Sequence, residues 1–282
     1  MTPPMTPPMT PTAPAMPSTT HGLLDGQLDT GFLHDLADLA DSISLPHFAA
    51  QDFVVETKAD STEVTVADRS TELALTNAIL ERFPDHQVLG EEFGVKGSAE
   101  SGWRWIIDPI DGTSNFTRGV PVWATLIAAE FNGILQASMV SCPAMARRWW
   151  ATVGNGACTG SLQDSRPLHV SKVARFENVF ISFSDGHWTD VAMRTRLQTI
   201  VDACGRQRCF GDFWQHMLVA EGALDIAIEP IVSLWDLAAV QLIVEQSGGR
   251  FTDLSGDERA DGGSALSTNG TLHDSVLAAL RT

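Results

Sequence analysis

Residues 103–107 read WRWII, an apolar run rich in aromatic and β-branched side chains that passes without a break into DPIDGTSNF. Such a run predicts a buried strand, so the chain must fold as layers that cover it. The end of that strand delivers two carboxylates, Asp108 and Asp111, into a loop. Pro109 restricts the backbone between them, and Gly112 lets a backbone approach a ligand closely.

The rest of the pattern supplies the layers. Over residues 28–43, Phe32, Leu33, Leu36, Leu39 and Ala40 fall on one helical stripe, with Asp35, Asp38 and Asp41 mostly turned away. Residues 53–66 read as strand or loop and residues 70–83 as a helix, with Asp68 at the join. A short strand over 87–89 runs into GEEFG. Residues 122–131 and 134–142 flank Asn132-Gly133, a strong hairpin signal, and 148–153 form a further strand, so the first half is rich in antiparallel pairing. Beyond about residue 160 strands (179–184, 224–228, 250–252, 265–268) mix with helices (193–204, 215–221, 236–246, 272–280). This predicts an N-terminal α+β metal-binding subdomain over 21–160 and a C-terminal α/β substrate-specificity subdomain over 161–282, sharing one sheet-rich core. Residues 1–20 repeat a Met-Thr-Pro-Pro unit without charge or aromatic side chains, which predicts a disordered tail.

Charge narrows the function classes. The 282 residues include 18 Lys+Arg against 35 Asp+Glu, a formal charge of −17. That balance argues against a nucleic-acid footprint and against docking on an anionic membrane. An anionic substrate would need local cations, from a few basic side chains or from metal. The apolar stretch 234–244 is interrupted by Asp236 and Gln241, and the first basic residue is Lys58, so no membrane span or basic leader is expected, and the location expected is cytoplasmic. Cys142, Cys158, Cys204 and Cys209 show no CxxC spacing and read as reduced thiols.

Four acidic places lie at element boundaries: Asp68, Glu91-Glu92, Asp108 with Asp111, and Asp236. Taken singly, Asp68 and Asp236 read as helix N-caps and the others as turn residues. DPIDGT reads differently. Clustered carboxylates suit a hard cation, and the absence of a usable His/Cys cluster favours Mg²⁺ over zinc. Thr113 places a hydroxyl where it could orient water.

GEE at 90–92, WIIDPIDGTSNF at 105–116 and WD at 235–236, followed by a helix and Gly248-Gly249, together resemble the inositol monophosphatase family of Mg²⁺-dependent, lithium-sensitive phosphatases. The resemblance spans roughly residues 28–282. It implies a mixed α/β fold of the α+β class, a layered αβαβα sandwich, and a homodimer. It also implies two or three Mg²⁺ per site: Glu91, Asp108 and the Ile110 carbonyl on one ion, Asp108, Asp111 and Asp236 on a second, and Asp68 with Glu91 around a third or around the attacking water. Gly112 and Thr113 would meet the phosphate, and Asp68, Glu91 and Thr113 would serve catalysis. The implied reaction is hydrolysis of a small phosphate monoester by in-line attack of a metal-activated water.

The segment GDFWQHMLVAEGALDIAIEP, residues 211–230, resembles the histidinol-phosphate phosphatases within that family. There Asp212, Trp214 and Glu229 would contact substrate, and the two acids suit an ammonium or imidazolium group. L-histidinol phosphate, in histidine biosynthesis, is therefore the implied substrate. Inositol 1-phosphate, fructose 1,6-bisphosphate and a nucleotide 3′-phosphate remain open as alternatives, as does, outside this class, a non-catalytic metal-binding interaction protein. His216 reads as a satisfied structural histidine, and Trp214 also reads as the start of a core helix.

Overall fold

The computed structural model describes residues 28–58, 62–184, 188 and 190–281, and the tail expected over 1–20 lies outside them. The chain opens with α1 (Thr30–Ala50), a small ladder of β1 (Glu56–Thr57) and β2 (Glu63–Val64), and α2 (Val66–Arg82). Next come β3 (Gln87–Gly90), β4 (Gly94–Gly97), β5 (Trp103–Asp111), the short α3 (Thr113–Thr117), β6 (Ala124–Phe131) and β7 (Ile134–Cys142). β8 (Arg147–Thr152), β9 (Ala157–Gly160) and β10 (Ser165–Pro167) complete an eight-stranded sheet of order β10-β9-β8-β7-β6-β5-β3-β4. The last part runs β11 (Phe180–Phe183), α4 (Val191–Ala203), β12 (Arg206–Arg208), α5 (Asp212–Ala220) and β13 (Ile226–Glu229). It ends with α6 (Leu234–Gln246), β14 (Arg250–Thr252), β15 (Ala265–Thr268) and α7 (His273–Arg281). Its five strands form a second sheet, β12-β11-β13-β15-β14.

Alternation along the strands builds the layers. Trp105 and Ile107 of β5 face one way and pack with Ile127, Met139 and Trp150 against Phe32, Leu36, Leu75 and Ile79 of α1 and α2. Ile106 faces the other way, with Leu126, Val140 and Trp149, onto Phe213, Met217, Leu237 and Val240 of α5 and α6. Those two helices also meet Ala227 and Ala265 of the second sheet, whose far face packs Ile181, Ile226 and Leu266 against α4 and α7. The order is therefore helix, sheet, helix, sheet, helix, the αβαβα sandwich. Among the described residues no helix is long and apolar enough to cross a membrane, and the four cysteines are free thiols.

Differences from the sequence reading have physical causes. α1 runs on through Pro46 to Ala50, because Phe48 is anchored on Phe116 and Trp123, with ring centroids 5.6 and 5.4 Å away. β4, β10 and β12 (GVKG, SRP and RQR) carry no apolar alternation, and all three are exposed edge strands. Polar, Gly and Pro residues at such edges discourage pairing with another chain.

One buried contact ties the fold to its functional edge. Glu72 of α2 accepts hydrogen bonds from the amides of Glu92 (2.7 Å) and Phe93 (2.9 Å), pinning the turn after β3 to the helix. A Cβ added at Gly90 would overlap that carboxylate. Gly90→Ala is expected to lower stability by about 1–3 kcal/mol through loss of these bonds, against less than about 0.5 kcal/mol for Leu73→Ala on the exposed face of α2. Urea midpoints compare the two directly, and equal midpoints would remove the pinning role of Glu72.

Candidate active site

β3 and β5 pair in parallel, so their carboxyl ends open at the same edge, with Glu91 just after β3 and Asp108 and Asp111 at the end of β5. The expectation that the strand stops at Ile107 is corrected, because pairing with β6 continues to Asp111. Residues three apart on a regular strand point to opposite faces. Here the register shifts between Asp108 and Asp111, which lets both carboxylates serve one site. The Ile110 amide donates to Asp108 Oδ1 at 2.9 Å, and Thr125 Oγ1 donates to the Pro109 carbonyl at 2.8 Å, fixing the irregularity.

Helix N-termini converge on the same edge. Asp68 and Asp236 read as N-caps in the sequence, but the caps are Thr65 and Ser233, and both aspartates are third residues of their helices. Each gives one oxygen to the cap amide, Asp68 Oδ2 to Thr65 and Asp236 Oδ2 to Ser233, at 2.8 Å in both cases. Asp68 Oδ1 lies 3.4 Å from Thr113 Oγ1, whose hydroxyl also donates to the Ile110 carbonyl at 3.0 Å. Gly112 caps α3 at φ 83°, and a side chain there would meet the Val122 carbonyl and Asp212 Oδ2 at 3.1 and 3.3 Å. Asp212, at φ 47°, opens α5; Asn115 Nδ2 donates to its Oδ2 at 3.1 Å, and the next amide, Phe213, donates to Asp111 Oδ2 at 2.7 Å. The positive ends of α2, α3, α5 and α6 thus face a cluster of acids and favour negative charge there.

Asp108, Asp111 and Asp236 each bring a carboxylate oxygen within 4.8 Å of the others. Burial, with Glu91, Asp111 and Asp236 as neighbours, pushes the Asp108 carboxyl well above the usual range. Burial and then Asp212, Asp236 and Glu229 do the same to Asp111. Asp236 is raised to about 7, by burial first and also by Glu91 and Glu229. Glu91 lies outside this trio and is held by Lys58, whose Nζ is 2.7 Å from Glu91 and 2.6 Å from Glu92. Burial works against the lysine's charge, but the two carboxylates prevail and raise its pKa. Burial raises Glu92 to about 6 despite Lys58.

The expected substrate residues are placed differently from one another. Glu229, at the end of β13, is buried, receives Gln215 Nε2 at 2.6 Å, and lies 3.3 Å from His216 Nε2. Trp214 is half-buried, with its ring 5.7 Å from that of Trp149 and 5.1 Å from the Arg147 guanidinium. Glu72, Asn115 and Gln215 are not recognisable as parts of the site from sequence, because they act through hydrogen bonds that leave no spacing signal. Lys58, a cation to which the sequence assigns no position, stands beside Glu91 and Glu92, far from it in the chain.

Three carboxylates, those of Asp108 and Asp111 buried and that of Asp236 half-buried, with the Ile110 carbonyl nearby make an all-oxygen donor set that repels itself, which suits a hard divalent cation held by Asp108, Asp111 and Asp236. Without a cation these acids bind protons more tightly in the folded chain than in the unfolded one. Stability contributed by Asp236 therefore falls as pH rises from the ordinary carboxylate value of about 4 through about 7, and that contributed by Asp108 and Asp111, raised well above the usual range, falls in the same direction. In chelator, Asp108→Asn is expected to melt higher than the wild type, by a margin that grows as pH rises above the ordinary carboxylate value of about 4. Differential scanning fluorimetry across pH measures it, and identical melting curves would mean that the carboxylates do not repel.

Residues 29–282 match the sequence profile of the Inositol monophosphatase family. The chain is 48% identical to a histidinol-phosphatase of Mycobacterium tuberculosis over 87% of its own length and 95% of that protein. It is 43% identical to a histidinol-phosphatase of Streptomyces coelicolor, over 88% and 95% of the two chains. The crystal structure of extragenic suppressor protein suhB from Bartonella henselae superposes with a TM-score of 0.82 at 26% identity, covering 90% of this chain and 98% of that one. The profile, the relatives and the carboxylate edge agree, and the chain belongs to the inositol monophosphatase family.

Proposed function

We propose that the protein is a magnesium-dependent phosphate monoester hydrolase acting on L-histidinol phosphate, giving L-histidinol and phosphate. The observation that carries the choice of substrate is the charge around Asp111. After burial, the groups that raise its pKa include the carboxyl groups of Asp212 and Glu229, whereas Lys58 lies on the Glu91 and Glu92 side. An alcohol bearing an ammonium and an imidazole is attracted by Asp212 and Glu229, and a second phosphate is repelled. The two histidinol-phosphatases, matched over 95% of their length, support the same reading.

In this reading Asp108, Asp111 and Asp236, with Glu91 and the Ile110 carbonyl, hold magnesium. Bound there, the ion supplies Lewis acidity for water and phosphate. The chain supplies position. Thr113 Oγ1, in reach of Asp68 and Ile110, orients the attacking water, and Asp68 Oδ1 takes a hydrogen bond from it. Gly112 and Thr113 present backbone amides at the start of α3 to the phosphate oxygens. Inositol 1-phosphate, fructose 1,6-bisphosphate and nucleotide 3′-phosphates would use the same acids and differ at Asp212 and Glu229.

Phosphate release from these four esters, side by side with Mg²⁺ and with EDTA, tests the proposal. Mg²⁺-dependent preference for histidinol phosphate is expected, and preference for another ester would reject the substrate. Asp236→Asn is expected to lower kcat by more than about a hundredfold, beyond the range of changes outside the metal shell, with the fold kept by circular dichroism. Asp212→Ala should raise KM for histidinol phosphate roughly tenfold and leave inositol 1-phosphate within about twofold, and equal losses would make Asp212 structural.

A further inference from the structure

Gln215 and His216 are side by side on α5, fully buried, in a layer otherwise packed with Phe213, Met217 and Val219. Burying an amide and an imidazole there is unfavourable unless every polar atom is paired. Their partners lie on three neighbouring strands of the second sheet, β11, β13 and β15. The Phe210 amide donates to Ser182 Oγ at 3.1 Å, and Ser182 Oγ donates to Gln215 Oε1 at 2.8 Å. That orients the amide so that Gln215 Nε2 donates to Glu229 Oε1 at 2.6 Å. On the other side Ser267 Oγ is 2.7 Å from His216 Nδ1, and His216 Nε2 is 3.3 Å from Glu229 Oε2. With the serine hydroxyl donating to Nδ1, the ring proton stays on Nε2 and donates to the carboxylate.

Both oxygens of Glu229 are thus gripped from α5, one by each residue, and each grip is oriented by a serine on a flanking strand. A carboxylate has about four acceptor positions, so roughly two remain for a ligand. Glu229 is close enough to the metal-binding acids to act on both Asp111 and Asp236. We infer that Gln215 and His216 are positioning residues that hold the Glu229 carboxylate in one orientation toward the cationic part of the substrate, and so set specificity for the alcohol without taking part in phosphate transfer. This rests on the reading of Glu229 as a substrate contact.

The test compares Gln215→Met and His216→Leu, which keep volume and remove the donors, with His216→Gln, which keeps one, and with Glu229→Gln. Each is assayed at saturating Mg²⁺ on histidinol phosphate and on glycerol 2-phosphate, whose alcohol is uncharged, and Mg²⁺-induced thermal shifts are recorded. Gln215→Met and His216→Leu are expected to raise KM for histidinol phosphate roughly ten- to hundredfold, the effect of losing a hydrogen bond to a charged group, with kcat within about threefold. Turnover of glycerol 2-phosphate and the Mg²⁺ shift should stay unchanged, and His216→Gln should recover most of the loss. Equal losses on both esters, or no loss on either, would overturn the assignment. If Glu229→Gln discriminates between the esters and His216→Leu does not, only the positioning role fails. If Glu229→Gln affects both esters alike, the reading of Glu229 fails and the positioning role falls with it.

Discussion

Mutual repulsion among Asp108, Asp111 and Asp236 is the interaction around which the rest of the structure is arranged. Three carboxylate oxygens within 4.8 Å of one another in a buried place would separate if the backbone were free to move. They are kept together because each is built into a rigid element. Asp108 and Asp111 belong to a strand paired with β3 on one side and β6 on the other, and Asp236 is locked into the first turn of α6 by its bond to the Ser233 amide. The positive ends of four helices lower the cost of holding that charge, and a bound cation would remove most of what is left.

The same economy recurs in the residues that position the acids. Asp68 and Asp236 each use one oxygen to close a helix and leave the other for the site. Asp111 takes the amide that α5 leaves unpaired at its start. Glu72, itself buried, holds the turn that carries Glu91 and Glu92, and Lys58 closes the charge on that side. The same side chains carry the structural hydrogen bonds and the chemical groups, so the site is as rigid as the sandwich that holds it. On the opposite side Asp212 and Glu229 add two more carboxyl groups near Asp111, and α5, packed between the two sheets, bonds Glu229 through Gln215.

Much of this was legible in the linear pattern. The WRWII run, the Asn132-Gly133 hairpin and the helix over 236–246 are strong local signals, and each stands in the structure within a few residues of where the pattern places it. The helices of the site begin two to four residues earlier than periodicity suggests, at Val66, Asp212 and Leu234. Each first turn carries an acid of the site, Asp68, Asp212 or Asp236, which interrupts the apolar repeat before it can be read. The edge strands β4, β10 and β12 gave no signal because edges are deliberately poor in apolar residues.

By itself the sequence determined which residues are acids at the ends of elements and which family they resemble, because DPIDGT, GEE and WD are short motifs whose chemistry is local. Only the tertiary structure decided how Asp108 and Asp111 come to share a face, since strand periodicity would separate them and a register shift against β6 reunites them. It alone brought Lys58 to Glu91 and Glu92, Asn115 to Asp212, and Gln215 with His216 to Glu229. Those contacts join segments from different elements, and a hydrogen bond between distant segments depends on where the sheets and helices pack, which no local spacing records.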